Sequence, residues 1–246
     1  MEIESNLKID IRNPMQKQLP ENTTMVSGEA KNKQVGCLLV EWFRQFGDKY
    51  PFRETNDAYR ILVSEILLRK TTARQVSSVY STFFKNYPNA NELFKGDIGD
   101  IQRIIRPLGI RSRAQDLKKI AELIVSRGGS VPEDYEELDK IKGVGVYIAG
   151  CVMVFAYGKR YPLVDSNVER VLQRIFEGKM VSSKNAKKNI LGLYSEVSPI
   201  GYEKQFHYAI IDLAHKFCRP KEPRCHSCPI FELCDFANGI SASMNS

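Results

Sequence analysis

From Gly36 to about residue 216, apolar residues recur every three or four positions, the period of helices that bury one face. The pattern divides into segments 36–47, 57–69, 73–86, 99–106, 112–127, 133–141, 146–157, 166–177, 184–197 and 203–216. Gly, Pro, Ser and Asp punctuate them, as in RPLGIRS and GGSVPEDY, where the backbone must leave the helical region. Nothing longer than KRYPLV reads as a strand, and no segment repeats at a fixed spacing, which argues against a solenoid. The pattern predicts an all-α protein. Residues 1–33 are polar and aperiodic and read as a flexible N-terminal tail, with 237–246 as a C-terminal tail.

Composition adds a partner. A 246-residue chain that is 43% hydrophobic can bury a real core, in one large domain or two small ones. Its formal net charge of +7 favours a polyanion, most often nucleic acid. No apolar run reaches the length of a membrane span and no signal-peptide pattern opens the chain, so an intracellular protein without a membrane partner is expected.

Four places carry candidate chemistry. In IKGVGVYIAG, Gly143 and Gly145 flank Val144 where one helical segment meets the next. A Gly-x-Gly corner at a helix N-terminus can present bare amides to a phosphate, and a tight helix–helix turn needs the same glycines for steric reasons. Glu65, in YRILVSEILLRKTTA, shares a helix face with Ile61, Leu62 and Leu68. A carboxyl on an apolar face is desolvated and holds its proton towards neutral pH; the alternative is a surface pair with Arg69 at i+4. Asp165, in YPLVDSNVERVLQRIF, precedes a helix and is a candidate N-cap. Ser166 and Glu169, however, have capping-box spacing, and if Ser166 caps, Asp165 is left as a free anion at the helix mouth. One carboxyl held as an acid and one as an anion is the division of labour that breaks a glycosidic bond. Finally, Cys218, Cys225, Cys228 and Cys234 form a C-x6-C-x2-C-x5-C run that suits zinc or a [4Fe–4S] cluster, with His226 a rival zinc ligand. Cys37 and Cys151 stand apart and read as small buried hydrophobes.

SEILLRKTTA, LDKIKGVGVYIAG, YPLVDSNVERV and the cysteine run, in that order, resemble the helix-hairpin-helix DNA glycosylases of the endonuclease III superfamily across about residues 34–236. The resemblance implies two helical domains with a cleft between them. One is a helical barrel at 54–159 ending in the hairpin; the other joins 34–53 to 160–236 and carries a C-terminal iron–sulfur loop. It implies a [4Fe–4S] cluster on the four cysteines, a catalytic site of Asp165, Glu65 and Tyr147, and a DNA grip at Lys142, Gly143 and Gly145. Arg69 and Lys70 fall where relatives place side chains that enter the gap left by an extruded base. At position 147, bifunctional relatives carry a lysine that forms a Schiff base; Tyr147 cannot. Tyrosine there, with Glu65, resembles thymine glycosylases acting on G·T mispairs, so the expectation is a monomeric monofunctional enzyme on double-stranded DNA holding a mispaired or damaged base. An adenine glycosylase is the alternative, and a non-catalytic DNA-binding module the bland one.

Overall fold

The computed structural model describes residues 28–177 and 186–244, and within them every regular element is a helix. In chain order these are α1 (Gly28–Phe46), α2 (Pro51–Glu54), α3 (Ala58–Leu68), α4 (Ala73–Asn86), α5 (Ala90–Lys95), α6 (Ile98–Ile105) and α7 (Arg113–Ser126). There follow α8 (Tyr135–Asp139), α9 (Gly145–Phe155), α10 (Ser166–Ile175), α11 (Ala186–Val197), α12 (Glu203–Lys216) and α13 (Asp235–Met244). Local chemistry sets many of the starts. Asp57, Asn89, Asp97 and Asp134 each accept a backbone N–H of the first turn they cap, and Thr72 with Gln75 closes a capping box on α4.

The principal packing contacts fall into two sets. In one, α3 lies against α4, α7 and α9, while α5 and α6 pack on α7 and α8 on α9. In the other, α1 packs on α11 and α12, and α10 on α11, α12 and α13. Helix α9 is apolar all round and buried from Ile148 to Phe155, as befits a helix enclosed by others. It also touches α12, which joins the sets. The extended 160–165 segment comes so close to α9 that a Cβ on Gly150 would sit 2.8 Å from Leu163 Cδ2.

Three expectations are corrected. Helix α1 begins at Gly28, so the end of the expected N-terminal tail is helical: Asn32 donates to Glu196 at 2.9 Å and Lys31 meets Asp235 at 2.5 Å. Residues 1–27 of that tail lie outside the described residues, as do the first residues of the 184–197 segment. The expected C-terminal tail falls largely within α13, whose Ala237 is buried. Cys37 faces solvent rather than the core, because it lies on the side of α1 opposite Val35 and Leu39.

A buried ion pair unforeseen in the sequence ties α2, which packs on α3 and α4, to α12. Arg53 makes a two-pronged contact with Asp212 at 2.8 and 3.0 Å, and Asp212 also accepts the Asp48 amide at 2.7 Å. The guanidinium lies over the Tyr208 and Tyr50 rings. Removing one partner strands the other in the interior, so Asp212→Ala is expected to cost ~3–5 kcal/mol, read as a lowered denaturation midpoint. An unchanged midpoint would show that the pair contributes little.

Candidate active site

Helix α3 presents Glu65 inward, with 9% of its surface exposed. Burial raises its pKa to about 7, against the opposing pull of Arg53 and a hydrogen bond from Cys151; the charge of Asp165 adds to the rise. The surface pair with Arg69 is not formed. Glu65 therefore carries a proton for much of the time at neutral pH.

Asp165 is itself the cap of α10, so the sequence expectation that Ser166 takes this duty is corrected. Asp165 Oδ1 accepts the Asn167 and Val168 amides at 2.9 and 2.8 Å, and Oδ2 accepts Asn167 Nδ2 at 3.1 Å. Ser166 is exposed. Asp165, not Ser166, has the extended backbone of a cap residue, with φ −105° and ψ −177°, and from it the carboxylate meets both amides. The cap does not consume the carboxylate's charge. It remains close enough to act on Glu65, Tyr147, Cys151 and His207.

Tyr147 enters from the first turn of α9. Its hydroxyl lies 3.1 Å from His207 Nε2 of α12, and the buried Cys151 stands one turn along the same helix. Burial pushes the phenol well above its usual range, so it stays protonated. Beside this cluster an open groove is lined by Phe43, Tyr50, Arg53, Asn56, Lys204 and Tyr208.

The hairpin joins α8 to α9. Ile141 and Val144 are buried plugs, and Lys142, Gly143 and Gly145 face solvent. Both glycines have positive φ, 99° and 70°, which other residues adopt only with strain. The first amides of α9 thus open outward without side chains over them. Arg69 is not extended towards a gap. Its guanidinium bonds the Gly143 and Val144 carbonyls and braces the hairpin from behind. Arg113, buried and absent from the sequence expectations, binds the Arg69 carbonyl and Thr71 Oγ1 and so fixes the turn between α3 and α4. Lys70, exposed at φ 53°, is the side chain of that turn left facing solvent.

Cys218, Cys225, Cys228 and Cys234 line one small cavity with Leu213 and Phe217. Arg174 Nη1 donates to Cys218 Sγ at 3.4 Å. His226 is not in that lining; its ring rests on Phe231. Among the described residues, no group of three or more His, Cys, Asp or Glu side chains is placed to hold a metal ion.

The site residues missed in the sequence are Arg53, Asp212, His207 and Arg113. Asp212 and His207 carried a usable signal, since each interrupts the apolar face of the 203–216 segment as Glu65 does in its own.

Comparison with known proteins agrees with this geometry. The HhH-GPD model, described as a superfamily of base excision DNA repair proteins, matches residues 63–195, a span that holds Glu65, the hairpin and Asp165. A thymine-DNA glycosylase of Aeropyrum pernix is 40% identical over 208 residues, 81% of this chain and 92% of that one. A thymine/uracil-DNA glycosylase of Pyrobaculum aerophilum is 36% identical, over 78% of this chain and 86% of that one. A solved structure of a thermostable thymine-DNA glycosylase superposes with a TM-score of 0.79 at 31% identity, covering 85% of this chain and 97% of its own. The buried acid, the capped anion and the glycine hairpin thus sit in a recognised frame, and the chain belongs to the HhH-GPD superfamily of base excision DNA repair proteins.

Proposed function

We propose that the protein is a monofunctional DNA glycosylase that extrudes thymine or uracil mispaired with guanine and hydrolyses its N-glycosidic bond. The observation that carries the reading is Tyr147. A phenol, held by His207, stands where an amine would be needed for Schiff-base chemistry, beside an acid and an anion that suffice for hydrolysis. The relatives named above carry thymine or uracil in their names. We read the two packing sets as two domains, 54–159 and 34–53 with 160–236, gripping DNA across the cleft between them, and the protein as a monomer. The hairpin amides with Lys142 and the exposed Lys70 would meet backbone phosphates. The groove at Tyr50 and Tyr208 is our candidate receptacle for the flipped base.

In this mechanism the bond between C1′ and the base nitrogen breaks, and its electron pair leaves with the base. Glu65 delivers its proton to the departing base, directly or through a water. Asp165 stabilises the positive charge that develops on the sugar. Water then adds to C1′ and its proton returns to the carboxylate. The strand stays intact because no amine holds the sugar. Among the described residues Lys142 is exposed on the hairpin, and Lys159 is occupied with the Glu133 carbonyl.

We also propose a structural [4Fe–4S] cluster on Cys218, Cys225, Cys228 and Cys234. Four thiols lining one cavity supply the donor set that a [4Fe–4S] cube takes, the resemblance to the endonuclease III superfamily favours that cluster over zinc, and Arg174 reaches Cys218. When bound, the cluster would tie the C-terminal loop to α10.

Single-turnover assays on duplexes carrying G·T, G·U and A·oxidised-G test the substrate. Release from G·T should be fastest, with no nicking before alkali and no borohydride trapping; faster release of adenine would make the adenine-glycosylase reading correct. Asp165→Asn should lose ~10²–10³ in rate while still binding duplex, because Asn also caps helices and so spares the fold. Near-normal turnover would remove Asp165 from the mechanism. Purified protein should be yellow-brown, with about four irons and four sulfides per chain by chemical analysis. Colourless, fully folded protein carrying stoichiometric zinc would overturn the cluster.

A further inference from the structure

Lysine is an unfavourable residue for the first turn of a helix, where the positive end of the dipole opposes its charge. Lys31 stands in the first turn of α1 with only 21% of its side chain exposed, so something must hold it there. Its ammonium is met on three sides. Nζ donates to the Ile175 carbonyl at 3.1 Å, a group left open at the C-terminus of α10. It also donates to Oδ1 of Asp235, the first residue of α13, at 2.5 Å, and lies 5.2 Å from the centre of the Phe176 ring. A cation at the end of α10 and a carboxylate at the start of α13 each suit the dipole end they face. One ion pair thus serves two helix ends.

What the pair holds is the end of the cysteine run. Asp235 directly follows Cys234, whose sulfur lies 3.4 Å from the carbonyl of Arg174, the residue before Ile175. Lys31 and Cys234 therefore dock on consecutive carbonyls of α10. The start of the run is held from α10 itself: Arg170 Nε donates to the Cys218 carbonyl at 3.0 Å, and Arg174 reaches Cys218 Sγ and the Arg219 and Pro220 carbonyls. Arg174 also lies over the Phe236 ring, so α10 grips α13 on one side while Lys31 grips it from α1.

We propose that Lys31 is a positioning residue for Cys234: a strap from the N-terminal turn of α1 that presses the last cysteine arm onto α10 and governs how firmly the cluster is retained. The proposal rests on the reading that the four cysteines carry a [4Fe–4S] cluster. Such a cluster takes all four thiolates at once, and an arm free to swing opens one iron to solvent and chelator. Lys31 acts through Asp235 and the α10 carbonyl and is not itself a ligand. The stretch of chain that reads as a polar tail thereby closes a site more than 200 residues away, the separation of Lys31 and Asp235 being 204.

The test exposes full-length protein to ferricyanide and EDTA and follows the decay of its visible absorbance, beside amide exchange read by mass spectrometry. Lys31→Met keeps an apolar stem against Phe176 and removes the charge. It should lose the band about three- to tenfold faster than the parent, with faster exchange at 234–238 and unchanged exchange in α3. Asp235→Ala removes the same ion pair from the other side and should behave alike. The double variant should decay no faster than the faster single one, since both remove one bond. Lys31→Arg keeps the cation and should stay within about twofold of the parent. Unaltered decay in Lys31→Met and Asp235→Ala, effects that multiply in the double variant, or decay in Lys31→Arg equal to that in Lys31→Met would overturn the proposal. The exchange arm needs no iron. Protein without iron would refute the cluster reading, and exchange at 234–238 in Lys31→Met, faster or unchanged, would then decide for or against the strap.

Discussion

The site depends on Asp212 neutralising Arg53 inside the protein. A lone guanidinium at that depth would draw the proton off Glu65, because in a medium of low polarity opposite charges act strongly over short distances. Asp212 takes both prongs of the guanidinium, and the Tyr50 and Tyr208 rings cover its faces. What remains of the positive field lowers the Glu65 pKa only in part, and burial prevails. The same pair pins the turn that leads into α2 against α12, which sets where α3 begins and therefore where Glu65 points. One contact thus anchors the approach to α3 on α12 and keeps an acid protonated.

Around that centre the parts divide cleanly between rigidity and exposure. The hairpin offers its amides outward only because its carbonyls are engaged behind it by Arg69, which is itself held by Arg113. Asp165 is similarly constrained: two amides and one side-chain amide fix its carboxylate while leaving its charge in place. Groups ordered in advance need not reorganise when charge develops on a bound sugar, and that is where such groups gain their effect.

How much of this was legible in the sequence follows the range of the interaction. Helical periodicity, the glycine corner and the cysteine run are local, and each stood at the place the chain order implied. Glu65 was legible because a charged residue on an apolar face announces its own desolvation. The cap of α10 was misjudged because Asp165 and Ser166 are both competent caps, and only backbone geometry decides between them. The ends of α1 and α13 were missed because their polar faces obscure the period, while their stability comes from partners far along the chain, such as Asp235 for Lys31. Arg53 and Asp212, 159 residues apart, leave no local trace at all.

Helix α1 has a consequence for biosynthesis. Its apolar face is covered by α11 and α12, and Asn32 reaches Glu196, 164 residues later. During translation α1 emerges before α11 and α12 and has no surface to dock on until they follow. The set from α3 to α9, whose partners are near in sequence, is free to assemble meanwhile. Until then the apolar face of this segment, Val35 and Leu39 among it, stays in water, and its helix lacks the packing that stabilises it.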